Sequence, residues 1–194
     1  MKLRSAIGAI LSIAAGVAAA EQETVVLFDT AFSENLVPAV GRSGQVNPRV
    51  TGVLPKGWVA DSDWCQVWAK FEPLSEEGRN FLRLEVTKTE GGLLQIDHEP
   101  LPDIPEESIF LLRADLRNLS GKPVSLGIRM RHAPYQTLWR VEDMFGTRFK
   151  EYTYEFVCPP NTQPIGFWVW FPGPGIVDIA RLRLERLDKN TYVE

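Results

Sequence analysis

The chain has 194 residues, with 25 acidic against 21 basic side chains, two histidines and a formal net charge of −4. This acidic, unclustered balance argues against nucleic acid and anionic membranes as partners, since both select a basic face. Two cysteines, Cys65 and Cys158, are too few for a disulfide-built scaffold and have no spacing suited to zinc. In an oxidising compartment they are candidates for one disulfide, on condition that their Cα atoms come within about 4.4–6.8 Å.

At the start of the chain, Lys2 and Arg4 precede an apolar run from Ala6 to Val17 that ends in Ala18, Ala19 and Ala20 before Glu21. A short basic region, an apolar stretch below spanning length and a small-residue cleavage site predict a secretory signal peptide over residues 1–20. No second apolar segment of spanning length follows. The expectation is a soluble periplasmic or secreted product without a membrane partner, with residues 21–194 forming one domain.

Residues 24–28 (TVVLF) read as a first strand, and residues 29–53 as loop with one short strand near 36–40. Leu54, Pro55, Lys56 and Gly57 predict a turn leading to Trp58. Residues 64–71 (WCQVWAKF) read as a strand, with Cys65, Val67, Ala69 and Phe71 on one face and Trp64, Gln66 and Trp68 on the other. Residues 72–79 read as an exposed turn. Strands at 81–87 and 92–98 flank Glu90, Gly91 and Gly92, the best hairpin signal in the chain. Further strands follow at 108–117, 138–145, 148–157, 164–171 and 176–187, separated by Gly- and Pro-rich breaks. In the last of these, apolar alternation fails at Ala180 and Arg181.

Residues 124–139 (VSLGIRMRHAPYQTLW) carry the most informative pattern. Val124, Leu126, Ile128 and Met130 alternate with Ser125, Gly127, Arg129 and Arg131, as in a strand with one buried face. The arginines then either pair with solvent and neighbouring carboxylates or form part of a ligand face. Pro134 ends the strand, and Tyr135 follows it. Residues 164–171 show the same two-sided pattern, with Ile165, Phe167, Val169 and Phe171 set against Gly166, Trp168 and Trp170. Nine or ten short strands with no convincing helix after the leader predict an all-β fold, and a jelly-roll β-sandwich of two antiparallel sheets fits the length best.

Gly57-Trp58 followed by Asp61-Ser62-Asp63-Trp64, the strand from Phe81 to Val86, Arg131 with Pro134-Tyr135, and Gly175 to Ile179 before Leu182 and Leu184 are similar to the jelly-roll carbohydrate-binding modules. These are galactose-binding-domain-like sandwiches often attached to secreted glycoside hydrolases. The resemblance covers about residues 54–187 and implies carbohydrate as partner. Two features depart from it. The Asn-Gly-Asp-Phe-Glu-like run usual at the start of such domains has no counterpart in residues 21–53. Ala180 stands where the family supplies an aspartate to a structural calcium, with Asp178 two residues earlier on the same face, so no cofactor is expected.

A lectin-like site needs flat aromatics and directed hydrogen-bonding groups, because a pyranose presents an apolar C–H face and a rim of hydroxyls. The candidates are Trp64, Gln66, Trp68, Arg129, Arg131, Tyr135, Trp168 and Trp170. For each tryptophan the alternative is packing in the core or under a loop. A protein-interaction sandwich of an exported assembly would use the same aromatics against a protein partner. Catalysis would have to draw on His98, His132 or carboxylates such as Asp61, Asp63, Glu99 and Glu155. Gln95-Ile96-Asp97-His98 is faintly similar to the Gln-Ile-His of one alginate-lyase family, whose companion signatures are missing, and His98 at a strand end reads as a surface or turn residue. No nucleophile elbow or phosphate-cradling loop is present, so the expectation is a binding protein and not an enzyme.

Overall fold

A computed structural model describes residues 24–98, 100–104, 106–161 and 163–187. The leader expected over residues 1–20, and Glu99, lie outside the described residues. Within them the chain forms thirteen strands: β1 (Thr24–Ala31), β2 (Leu36–Pro38), β3 (Val50–Pro55), β4 (Trp58–Ala60), β5 (Val67–Glu76), β6 (Arg79–Thr89), β7 (Leu94–His98), β8 (Ser108–Asn118), β9 (Val124–Met130), β10 (Thr137–Asp143), β11 (Lys150–Cys158), β12 (Ile165–Phe171) and β13 (Gly175–Leu187). No helix of the described residues is long and apolar enough to cross a membrane.

The strands form two sheets. One has eight strands in the order β11-β8-β13-β6-β5-β3-β2, with β1 also paired to β13; the other has five in the order β10-β9-β12-β7-β4. The pairs are antiparallel, as expected, with one exception: β3 runs parallel to β5. Period-two alternation gives each strand one apolar face. Leu82, Leu84, Leu112, Leu116, Val177, Ile179, Leu182 and Leu184 of the larger sheet bury against Leu126, Ile128, Phe167 and Val169 of the smaller one in a single core.

Two expectations need correction. Glu90, Gly91 and Gly92 do not close a hairpin: β6 lies in the larger sheet and β7 in the smaller, so this turn is a crossover. The hairpin is β5–β6, which turns at Glu77 and Gly78, both at positive φ, within the stretch read as an exposed turn. The strand expected from Trp64 starts at Val67, which frees Trp64 and Gln66 from strand parity. The broken alternation at Ala180 and Arg181 has a physical cause in a β-bulge, where the register on β8 shifts between Ile179 and Arg181. At this bulge β13 leaves β6 and takes up β1 as its neighbour.

The two cysteines are free. Cys158 ends β11, while Cys65 leads into β5, four strand positions away in the same sheet, or about 19 Å at the usual inter-strand spacing. Burial pushes the Cys158 thiol up to about 12 and also raises that of Cys65, so neither is a ready nucleophile.

Candidate functional site

The central strand of the five-stranded sheet is β12, with β9 on one side and β7 on the other. Phe167 and Val169 point into the core, so Trp168 and Trp170 point out. Trp168 sits opposite Gly127 on β9 and Asp97 on β7, and Trp170 sits opposite Ser125 and Gln95. This brings Arg129, Arg131, Trp168 and Trp170 to one outer face, as side-chain parity predicts.

Two glycines let the indoles lie flat on that face. A Cβ at Gly166 would stand 3.1 Å from the Trp168 ring, and one at Gly127 would stand 2.8 Å from the Trp170 ring and 2.6 Å from the Trp139 carbonyl oxygen. With those positions bare, the two rings run parallel, with centroids 6.2 Å apart and planes 5° from each other.

The tryptophans are not open platforms, and here the expectation of exposed stacking surfaces is corrected. Trp168 is 0% and Trp170 8% exposed. The guanidinium of Arg42, reaching in from the loop between β2 and β3, stands 5.9 Å from the Trp168 ring, and that of Arg129 stands 5.3 Å from it. Arg140 on β10 covers Trp170 at 5.9 Å. Each guanidinium is attracted to the negative face of its indole. The aromatics left accessible are Trp64, 61% exposed, and Tyr135, 47% exposed. Tyr135 lies 5.2 Å from the Arg129 guanidinium. Trp64 packs beside Gly92, next to Leu93 at the groove described below, and its indole N–H donates to the Asp61 carbonyl.

A hydrogen-bond chain runs beneath these groups. The Trp170 indole N–H donates to Gln95 Oε1 at 2.7 Å, and Gln95 Nε2 donates to Asp61 Oδ2 at 2.7 Å. Arg42 donates to the same Asp61 oxygen at 2.5 Å and lies 3.5 Å from Asp97 Oδ2. Arg131 pairs with Asp97 Oδ2 at 3.0 Å and donates to the His98 carbonyl at 2.7 Å. Asp97 is fully buried. Burial lifts its carboxyl to about 7, although Arg131 and then Arg42 pull it down. On the neighbouring strands Arg140 donates to Ser125 Oγ at 3.1 Å and pairs with Glu142.

Three buried polar atoms in this assembly have no protein partner: Trp168 Nε1, Arg129 Nε and Asp97 Oδ1. They are three of the five such side-chain atoms among the described residues, all gathered on one face. An unmet buried donor or acceptor costs about 1–3 kcal/mol, so a cluster of them points to a purpose other than stability. Beside them runs a groove of about 370 Å³ lined by Leu93, Pro123, Ser125, Arg129, Thr137, Arg140, Glu142, Trp170 and Pro172. That volume falls within the range of small-ligand clefts.

The remaining candidates lie elsewhere. Trp68 is on the outer face of the other sheet, with Lys88 4.7 Å and Arg49 5.8 Å from its ring. Gln66 is an exposed loop residue whose carbonyl accepts from the Glu90 amide. His98 is not a surface residue: it is half-buried, stacked on Phe28 at 4.6 Å and edge-on to Trp58 at 5.3 Å. Asp63 accepts from Asn47 while Asp61 serves Arg42 and Gln95, and Glu155 is on β11 in the other sheet. Asp178 does not stand ready for calcium, since its two oxygens accept from Arg83 and Arg117. Sequence reasoning missed Arg42, Gln95, Asp97 and Arg140 as members of the face. Gln95 and Asp97 carried a signal, because they alternate with Leu94 and Ile96 as Trp168 and Trp170 do with Phe167 and Val169.

No protein-family model matches the sequence, and no curated protein matches it either. Solved structures do resemble the fold. They include the CBM22-1 xylan-binding domain of a Paenibacillus barcinonensis protein (10% identity, 87% of this chain and 99% of that one, TM-score 0.48). A carbohydrate-binding module of the Cellvibrio mixtus lichenase 5A in complex with cellotriose is similar at 9% identity, over 82% of this chain and 97% of that one, with a TM-score of 0.44. A cleaved adhesin domain of Lys-gingipain from Porphyromonas gingivalis is similar at 9% identity, over 84% and 99%, with a TM-score of 0.47. At such identities the likeness concerns fold, and the question of ligand rests on this chain's own residues.

Proposed function

We propose that this chain is an exported, non-catalytic carbohydrate-binding module that holds a poly- or oligosaccharide in the groove on the outer face of its five-stranded sheet. Residues 21–194 form its single domain once the leader is removed. The observation that carries the reading is the clustering of unpartnered buried donors and acceptors beside that groove, with the Tyr135 ring 5.2 Å from the guanidinium of Arg129, which lines it. A sugar hydroxyl both donates and accepts, so it is suited to a face that offers guanidinium and indole N–H groups together with carboxylate oxygens. Ser125, Thr137, Arg140 and Glu142 supply directed hydrogen bonds, and Tyr135 supplies a ring for the C–H face of a pyranose. The carboxylates nearest the groove are engaged by arginines and set no acid–base pair apart.

Titration against a panel of soluble polysaccharides, read by tryptophan fluorescence and calorimetry, tests the proposal. Tyr135→Ala and Arg140→Ala should each weaken binding by about 1–3 kcal/mol, roughly 5- to 150-fold, with little change in melting temperature. Trp68→Ala, on the other sheet, should bind as the wild type does. Retention of no polysaccharide, or loss of binding in Trp68→Ala alone, would sink the reading.

A further inference from the structure

We propose that the groove selects an acidic sugar, seating a uronate carboxylate on the guanidinium of Arg129; the inference rests on the carbohydrate reading above and names the class of glycan. The argument begins with how this protein treats its other strand arginines. On the larger sheet Arg79 meets Asp115, Arg83 and Arg117 share Asp178, Arg113 meets Glu151 and Glu185, and Arg181 and Arg183 share Asp29. On the smaller sheet Arg140 meets Glu142. Arg129 departs from this pattern: among the described residues no carboxylate pairs with it and no acceptor takes its N–H groups, and its buried Nε is one of the orphaned atoms.

The position is nevertheless built. Trp168 and Tyr135 hold the guanidinium at 5.3 and 5.2 Å from their ring centroids, and burial disfavours its charge. Asp61 and Asp97 offset that burial only from a distance, so a half-buried guanidinium with no paired carboxylate stays costly, and an anion bonded to it removes that cost. Because the guanidinium is a planar fork, it matches a planar carboxylate through two parallel N–H donors.

The surroundings favour a carboxylate on a sugar over a dense polyanion. Arg129 lines the groove beside Thr137, Ser125 and Glu142, groups that suit hydroxyls. Of the two guanidinium groups lining the groove, Arg140 is already committed to Glu142, which leaves one positive charge to be answered. The Glu142 carboxylate itself repels a second ligand charge placed nearby. One unmatched guanidinium among hydroxyl-binding groups corresponds to one carboxylate per sugar, as in a uronic acid.

The test uses oligosaccharides from homogalacturonan, alginate and glucuronoxylan, each compared by calorimetry with the same material after its carboxyl groups are reduced to primary alcohols. A sulfated neutral oligosaccharide forms a separate arm. The wild type should bind at least one uronate oligosaccharide on the order of ten-fold or more tighter than its reduced counterpart, with the preference weakening as salt is raised. In Arg129→Gln that acid-to-neutral ratio should fall to about one. If this variant fails to fold, the wild-type comparison of acid with reduced sugar still decides. Equal binding of acid and reduced sugars, preference for the sulfated arm, or a ratio that survives in folded Arg129→Gln would overturn the inference while leaving carbohydrate binding intact. Failure to bind any glycan, acidic or neutral, would remove both.

Discussion

The outer faces of the two sheets are both rich in arginine, yet they are wired differently. On the eight-stranded sheet Asp178 is fully buried and takes Arg83 through two bonds, at 2.9 and 3.0 Å, and Arg117 through a third at 2.7 Å. Asp29 takes Arg181 at 2.7 and 2.5 Å and Arg183 at 3.2 Å, and these bonds hold its carboxyl below the usual range. On the five-stranded sheet Arg42, Arg129 and Arg140 lie over indoles, and among the described residues Asp97 keeps one oxygen without a hydrogen-bond partner and Arg129 pairs with no carboxylate, Asp61 and Asp97 acting on it only from a distance. The first face pairs its arginines with its own carboxylates and leaves Arg183 Nε as a lone buried atom without a partner on that face among the described residues. The second leaves hydrogen-bonding capacity unspent beside a groove, which is how a binding face differs from a scaffold of similar composition.

The largest effect should come from breaking the closed face. Asp178→Ala strands Arg83 and Arg117 around a lost carboxylate, and removing one partner of a buried pair costs about 3–5 kcal/mol. Urea denaturation should show that loss, while the folded fraction keeps its affinity for glycan. A loss below about 0.5 kcal/mol would mean that the network on the larger sheet is ornamental, and the contrast between the faces would lapse.

A smaller effect should come from the other face through pH. Asp97 holds its proton up to about 7 in the folded protein, against roughly 3.9 for an aspartate in an unfolded chain. The folded state therefore binds more proton between those values. The contribution of this group to stability is full below about pH 4 and is lost as pH rises towards 7. Arg131, Arg42 and Asp61 face the carboxyl. With the two arginines supporting the ionised form, the loss should be on the order of 1–3 kcal/mol. Denaturation midpoints from pH 4 to 8 should decline in the wild type relative to Asp97→Asn. Parallel profiles would show that Asp97 is ionised throughout and that the two faces are alike in this respect.

How much of this was legible in the sequence depends on whether a property is local. Parity is local: Val124 to Met130 and Ile165 to Phe171 declare which side chains share a face, whatever the fold, and Arg129, Trp168 and Trp170 accordingly meet. What covers a face is tertiary. Arg42 arrives from a loop weakly patterned in sequence, and Arg140 comes from β10, so the burial of Trp168 and Trp170 had no local signal. The turn at Glu90, Gly91 and Gly92 carries hairpin chemistry, but the partner of a strand is set by the core it must cover, and β7 crosses to the other sheet. The β13 bulge disturbed the alternation visibly, and only its register showed the disturbance to be a change of neighbour from β6 to β1.

The most direct measurement is amide chemical-shift mapping of the ¹⁵N-labelled protein during titration with a uronate oligosaccharide. The predicted result is a contiguous set of shifts in β9, β10, β12 and the stretch from Tyr135 to Thr137, together with the Trp64 indole, while Arg113, Glu151, Arg181 and Arg183 on the opposite face stay unmoved. Shifts centred on that opposite face, or none on the groove at saturating glycan, would contradict the assignment of the binding face.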